Sequence, residues 1–124
     1  MARILIAEDD EVQRTLLHKV LHARGHEVVA VVDGTEALGA LQGCGYDLLI
    51  TDIVMPGLDG IGLALRVARD CPAVPIILMT GYPDERDRAR NLDDLVHSVI
   101  CKPFELDEML EAVDQAVQTG SVFS

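Results

Sequence analysis

Tryptophan is absent from the 124 residues, and two tyrosines and two phenylalanines are the whole aromatic content, 3%. A core must therefore be filled by leucine, valine, isoleucine and alanine, and the 49% apolar fraction supports one packed domain spanning residues 1–124. Lysine is nearly missing as well. Only Lys19 and Lys102 occur, and arginine supplies the other eight basic residues. With a net charge of −11 and no clustered Lys/Arg stripe, a direct nucleic-acid partner is not expected. No apolar stretch approaches the about 20 residues of a membrane span, and the N-terminus lacks a signal peptide's charged and apolar regions. The chain is expected to be cytoplasmic and not to engage a membrane. Cys44, Cys71 and Cys101 are odd in number and form no C-x-x-C pair. They are expected to be reduced thiols used as small core residues.

What is present is a set of short apolar runs with polar residues at their ends. Ile4-Leu5-Ile6-Ala7 leads into Glu8-Asp9-Asp10, and Leu48-Leu49-Ile50-Thr51 into Asp52. Ile76-Ile77-Leu78-Met79 leads into Thr80, and Val99-Ile100-Cys101 into Lys102-Pro103. Such runs read as buried parallel strands, and open α/β sheets gather ligands at the carboxyl ends of their strands. One sheet edge would then carry carboxylates, a hydroxyl and an ammonium. That combination suits a divalent cation and a phosphoryl group.

Between the runs the pattern is helical. After a strand at about Arg3–Ala7, Val12, Leu16, Val20 and Leu21 mark one face of a helix that Gly25 would end. Glu27–Val32 reads as a strand, and Asp33-Gly34 turns into a helix with Ala37, Leu38 and Leu41. Gly43–Gly45 ends that helix. Pro56-Gly57-Leu58-Asp59-Gly60 is a loop, and Ile61, Leu63, Leu65, Val67 and Ala68 belong to the next helix. Pro72 and Pro75 bracket the turn into Ile76–Met79. The last helix runs from about Leu106 to Thr119, with Leu106, Met109, Leu110, Val113 and Val117 spaced for burial. Gly81–Leu95 is the poorest helical stretch: eight of its residues are charged, and only Ala89, Leu92 and Leu95 offer an apolar stripe. Five strands interleaved with five helical stretches make an α/β three-layer sandwich.

ILIAEDD, LLITDIVMPGLDG, ILMTG and ICKPF, in this order and spacing, resemble the receiver domain of two-component response regulators across essentially the whole chain. The resemblance implies a flavodoxin-like, doubly wound (βα)5 fold with a five-stranded parallel sheet in the order 2-1-3-4-5. It implies that Asp52 accepts a phosphoryl group from a histidine kinase or histidine phosphotransfer protein. Glu8 and Asp9 would hold Mg²⁺ (or Mn²⁺) together with Asp52 and the backbone carbonyl of Val54. Lys102 would neutralise a phosphoryl oxygen, Thr80 would donate its hydroxyl to another, and Gly81 would leave room for the donor. The Lys102-Pro103 bond resembles the family's cis-proline. A carboxylate is a feeble nucleophile, so positioning and charge neutralisation must supply the catalysis.

Taken singly, each residue has a plainer role. Asp10 fits a helix cap, Thr80 a strand-end hydroxyl and Lys102 a solvated cation. Their joint occurrence favours the phosphorylation site. His18 and His22 are four apart, a spacing that can bind metal, but they lie opposite the Val12, Leu16, Val20 face without a third ligand and read as solvated. No role attaches to His26 or His97. A haloacid-dehalogenase-type phosphatase would need an acid where Val54 stands. A nucleotide-binding fold would need a glycine-rich turn where Glu8-Asp9-Asp10 stands.

Val99 departs from the family pattern, which often has an aromatic there that swings behind the threonine. Valine cannot swing so, and phosphorylation is expected to alter order within Gly81–Leu95 instead. Val54 and Tyr82 flank the path of hydrolytic water and would tune the phosphoryl lifetime. The chain is expected to be a stand-alone receiver that switches a downstream protein target, as a monomer or weak dimer, and not a turnover enzyme. The alternatives are a constitutive pseudo-receiver interaction module and a receiver fragment of a hybrid histidine kinase.

Overall fold

The computed structural model describes residues 2–81 and 95–122. Five strands, β1 (Arg3–Ala7), β2 (Glu27–Val31), β3 (Leu48–Asp52), β4 (Ile76–Thr80) and β5 (Ser98–Cys101), form one sheet. Its order is β2-β1-β3-β4-β5, with every neighbouring pair parallel. This is the doubly wound order implied by the resemblance. The described helices are α1 (Glu11–Ala23), α2 (Gly34–Ala40), α3 (Gly60–Asp70) and α4 (Leu106–Val122). The helical stretch expected between Gly81 and Leu95 falls on residues 82–94, outside the described residues, as do Tyr82, Ala89 and Leu92.

The strands are apolar throughout because both faces of the sheet are covered. Successive side chains alternate between two clusters. Leu5, Leu49, Ile76 and Leu78 pack with Ala37 of α2, with Leu41 that caps it, and with Leu63, Ala64 and Val67 of α3. Ile4, Ile6, Leu48, Ile50, Ile77 and Met79 pack with Leu17 and Leu21 of α1 and with Met109, Val113 and Ala116 of α4. Helix starts are set by caps. Asp10, Asp33 and Asp59 accept the backbone N–H groups of Val12, Glu36 and Gly62 respectively.

Several sequence expectations are corrected. The buried stripe of α1 is Leu17 and Leu21, whereas Val12 is 76% and Leu16 41% exposed. The helix is rotated relative to the apolar face read from its sequence, which leaves His18 half-buried while His22 is exposed. Their rings stack at 6.0 Å. Leu106 is exposed at the start of α4, and Ala116 takes a buried place on that helix. β2 stops at Val31, and the Val32 N–H donates to the Glu36 carboxylate.

The cysteines differ most. Cys44 and Cys71 form a disulfide across 27 residues, and Cys101 is a half-buried free thiol. The turn after α2 enters the left-handed region at Gly43 (φ 85°) and Cys44 (φ 55°). It thereby brings an exposed Cys44 onto the buried Cys71 that caps α3. Separation along the chain carries no sign of this proximity.

Candidate phosphoryl-acceptor and metal site

Register brings the polar residues together. Ala7 lies level with Thr51, so Glu8 follows β1 at the height of Asp52. Asp52 lies level with Met79, and Thr80 with Cys101, so Lys102 leaves β5 beside the same edge. Its N–H donates to the Thr80 carbonyl at 2.6 Å. Alternation along β3 puts Asp52 on the side of Leu48 and Ile50, facing the α1/α4 layer.

The Lys102 Nζ donates to Asp52 Oδ2 at 3.0 Å and to the two Glu8 carboxylate oxygens at 3.2 and 3.3 Å. Carboxylate oxygens of Glu8, Asp9 and Asp52 lie within 4.8 Å of one another. Glu8 is wholly buried and Asp52 is 8% exposed, while Asp9 faces solvent. An open cavity of about 350 Å³ joins them, with Asp10, Val54 and Gly81 also on its wall. Burial pushes the Glu8 carboxyl up to about 7; the nearby Asp52 charge adds to the rise and Lys102 opposes it. Burial disfavours the charged form of Lys102, but its hydrogen bond and charge interaction with Asp52, followed by those with Glu8, prevail and raise its pKa. One ammonium faces three carboxylates. The remaining negative charge and all-oxygen donor set fit a hard divalent cation. Among the described residues this is the only cluster of three or more potential ligands, so the His18/His22 pair has no third partner.

Other expected residues are placed less centrally. Thr80 is buried at the last position of β4, shares the alternation of Ile76 and Leu78, and does not line the cavity. Val54 is half exposed at the rim. Val99 is half-buried against the α2/α3 cluster. The Lys102–Pro103 peptide is cis. The start of α3 closes the back of the site. Gly60 N–H donates to the Ile53 carbonyl at 2.8 Å, and a Cβ on Gly60 would run into the Asp52 carbonyl oxygen. Sequence reasoning missed Arg14, whose guanidinium donates to the Glu8 carbonyl at 2.9 Å and approaches that of Asp9 at 3.4 Å. A signal was available. A cation in the opening turn of a helix opposes the macrodipole and invites another explanation.

A family model described as the response regulator receiver domain matches residues 4–114. The response regulator receiver protein CpdR of Brucella abortus is 37% identical over 93% of this chain and 96% of its own length. The transcriptional regulatory protein TcrA of Mycobacterium tuberculosis is 32% identical over 97% of this chain but only 47% of its own, so the chain spans about half of that relative. Among solved structures, the response regulator TrrA of Thermotoga maritima, in complex with Mg²⁺-BeF, superimposes with a TM-score of 0.84. It is 33% identical, over 94% of this chain and 99% of that one.

Proposed function

Because the chain belongs to the response regulator receiver family, we propose that it is a phospho-switch in which Asp52 accepts a phosphoryl group from a histidine kinase or phosphotransfer protein. The observation that carries this reading is the Lys102 ammonium held 3.0 Å from Asp52 inside a cluster of three carboxylates. An Asp52 oxygen attacks phosphorus, the phosphorus–nitrogen bond of the donor imidazole breaks with its electron pair returning to nitrogen, and an acyl phosphate remains. Glu8, Asp9, Asp52 and the Val54 carbonyl would hold Mg²⁺ or Mn²⁺. That ion supplies neutralisation of the phosphoryl charge. Lys102 exchanges its contact with Asp52 for a phosphoryl oxygen, and Thr80, which does not line the cavity in this structure, is drawn inward to donate to another. Val54 and Tyr82 tune access of hydrolytic water, and Val99 replaces the swinging aromatic.

The output is a changed protein–protein surface, not turnover of a separate substrate or contact with nucleic acid. CpdR, matched over 96% of its own length, is itself named a response regulator receiver protein, which supports the receiver reading. Among the described residues no helix is long and apolar enough to cross a membrane. Intact-mass analysis after incubation with a small phosphodonor tests the reading. The expected result is one phosphoryl adduct that requires Mg²⁺ and is absent from Asp52→Asn. No adduct with either the small donor or a cognate kinase would leave a constitutive interaction module as the answer.

A further inference from the structure

The geometry points to Arg14 as a positioning residue that sets the directions of the Glu8 and Asp9 carboxylates, an inference that rests on the metal-site reading above. Peptide groups are planar, so fixing the two planes that flank a Cα fixes the direction of its Cα–Cβ bond, from which the side chain sets out. The Glu8 N–H donates to the Val31 carbonyl at 3.1 Å, which holds the plane before Glu8. The Arg14 Nη1 donates to the Glu8 carbonyl at 2.9 Å, which holds the plane between Glu8 and Asp9. Its longer 3.4 Å approach to the Asp9 carbonyl bears on the plane after Asp9. Both acidic residues are thus braced on either side, Glu8 by β2 and Arg14, Asp9 by Arg14 alone.

Arg14 reaches them because helix side chains lean toward the N-terminus, and its own N–H enters the helix ladder on the Asp10 carbonyl at 2.9 Å. Both contacts come from one nitrogen of the half-buried Arg14, Nη1, whose two N–H groups lie in the guanidinium plane and can serve two acceptors at once. The carboxylates are left free to face the cavity.

Two effects of removing Arg14 have opposite signs. As a mere nearby cation, Arg14 repels a second cation, and its loss would tighten Mg²⁺ binding. As a brace, its loss lets the ligand-bearing turn relax and weakens binding, by about tenfold for a group that orients ligands from behind. We would titrate Mg²⁺ calorimetrically into wild type, Arg14→Met and Arg14→Lys. Alongside, amide nitrogen–proton shifts of Asp9 and Asp10 in Mg²⁺-free protein, and thermal unfolding, would be recorded. Expected are an about tenfold weaker Mg²⁺ affinity in Arg14→Met, partial recovery in Arg14→Lys, and displaced Asp9 and Asp10 amide shifts in both. Arg14→Lys keeps the charge and carries the comparison if Arg14→Met is unstable. Equal or tighter binding with unmoved amide shifts in a folded variant overturns the inference. A wild type that binds no Mg²⁺, while the variants still displace those amides, overturns the metal-site reading and leaves the brace standing.

Discussion

Glu8 is wholly buried, more so than Asp52, and it makes the protein's stability depend on pH. In the folded protein its carboxyl is pushed up to about 7 by burial and by Asp52, against the ordinary 4.5 expected once the chain unfolds. Between those values the folded state binds the extra proton. Stability in the absence of divalent cation should therefore be greatest below about 4.5 on this account and decline as pH rises toward 7. Lys102, whose pKa is raised, stays charged across that window. Urea unfolding at a series of pH values, in wild type and Glu8→Gln, checks this. The decline should shrink in Glu8→Gln, and an identical pH slope in both proteins would refute it. The meeting of Asp52 and Lys102 at one sheet edge was legible from the polar ends of apolar runs. The service of Arg14 was not, because it acts on backbone carbonyls, which no residue pattern displays.

At the level of elements, the junction of β3 and α3 is the tightest point behind the acceptor. Gly60 sits where a Cβ would meet the Asp52 carbonyl oxygen and come within 2.8 Å of the Ile53 Cα, both parts of a backbone that cannot rotate away. Gly60→Ala should cost about 1–3 kcal/mol, as overpacking of a close-packed site does. It should also slow phosphorylation, because relief comes only by moving the acceptor's own peptide. Urea midpoints and the rate of adduct formation measure both, and unchanged values would show that α3 can retreat freely. The element order and most boundaries followed from periodicity, whereas the buried face of α1 did not. Leu16 overhangs a cavity shared with Gln13, Phe104 and Leu106 instead of entering the core. Leu17, next in the chain and about 100° further round the helix, is buried instead, so it is the rotation of α1 about its axis that leaves Leu16 outside.

For the molecule as a whole, charge is the dominant imbalance. A net charge of −11 with two lysines means that most of the surface repels itself. Raising monovalent salt from about 0.01 to about 0.15 M shortens the screening length from about 30 to about 8 Å. Metal-free protein should therefore unfold at a higher temperature in the saltier buffer. The buried contacts of Lys102 with Glu8 and Asp52 are screened far less than exposed pairs, so their loss should not cancel the gain. A melting temperature that is flat or falls with salt would show that favourable ion pairs outweigh the repulsion.

Four apolar runs ending in acid, acid, hydroxyl and ammonium, spaced by helical stretches, were enough to indicate an α/β sandwich with those residues at one sheet edge, while the strand order came with the family resemblance. Those features are local in the chain: short apolar runs, a cap such as Asp10, and turns at Gly and Pro. Tertiary structure alone decided what depends on the approach of distant segments. It joined Cys44 to Cys71 and turned α1 so that Leu17, and not Leu16, joins Leu21 against the sheet. It also laid the Arg14 guanidinium against the turn that carries Glu8 and Asp9. The physical reason is that spacing along a chain specifies which side of an element a residue occupies relative to its neighbours. Which side meets the rest of the protein is settled only when the elements pack.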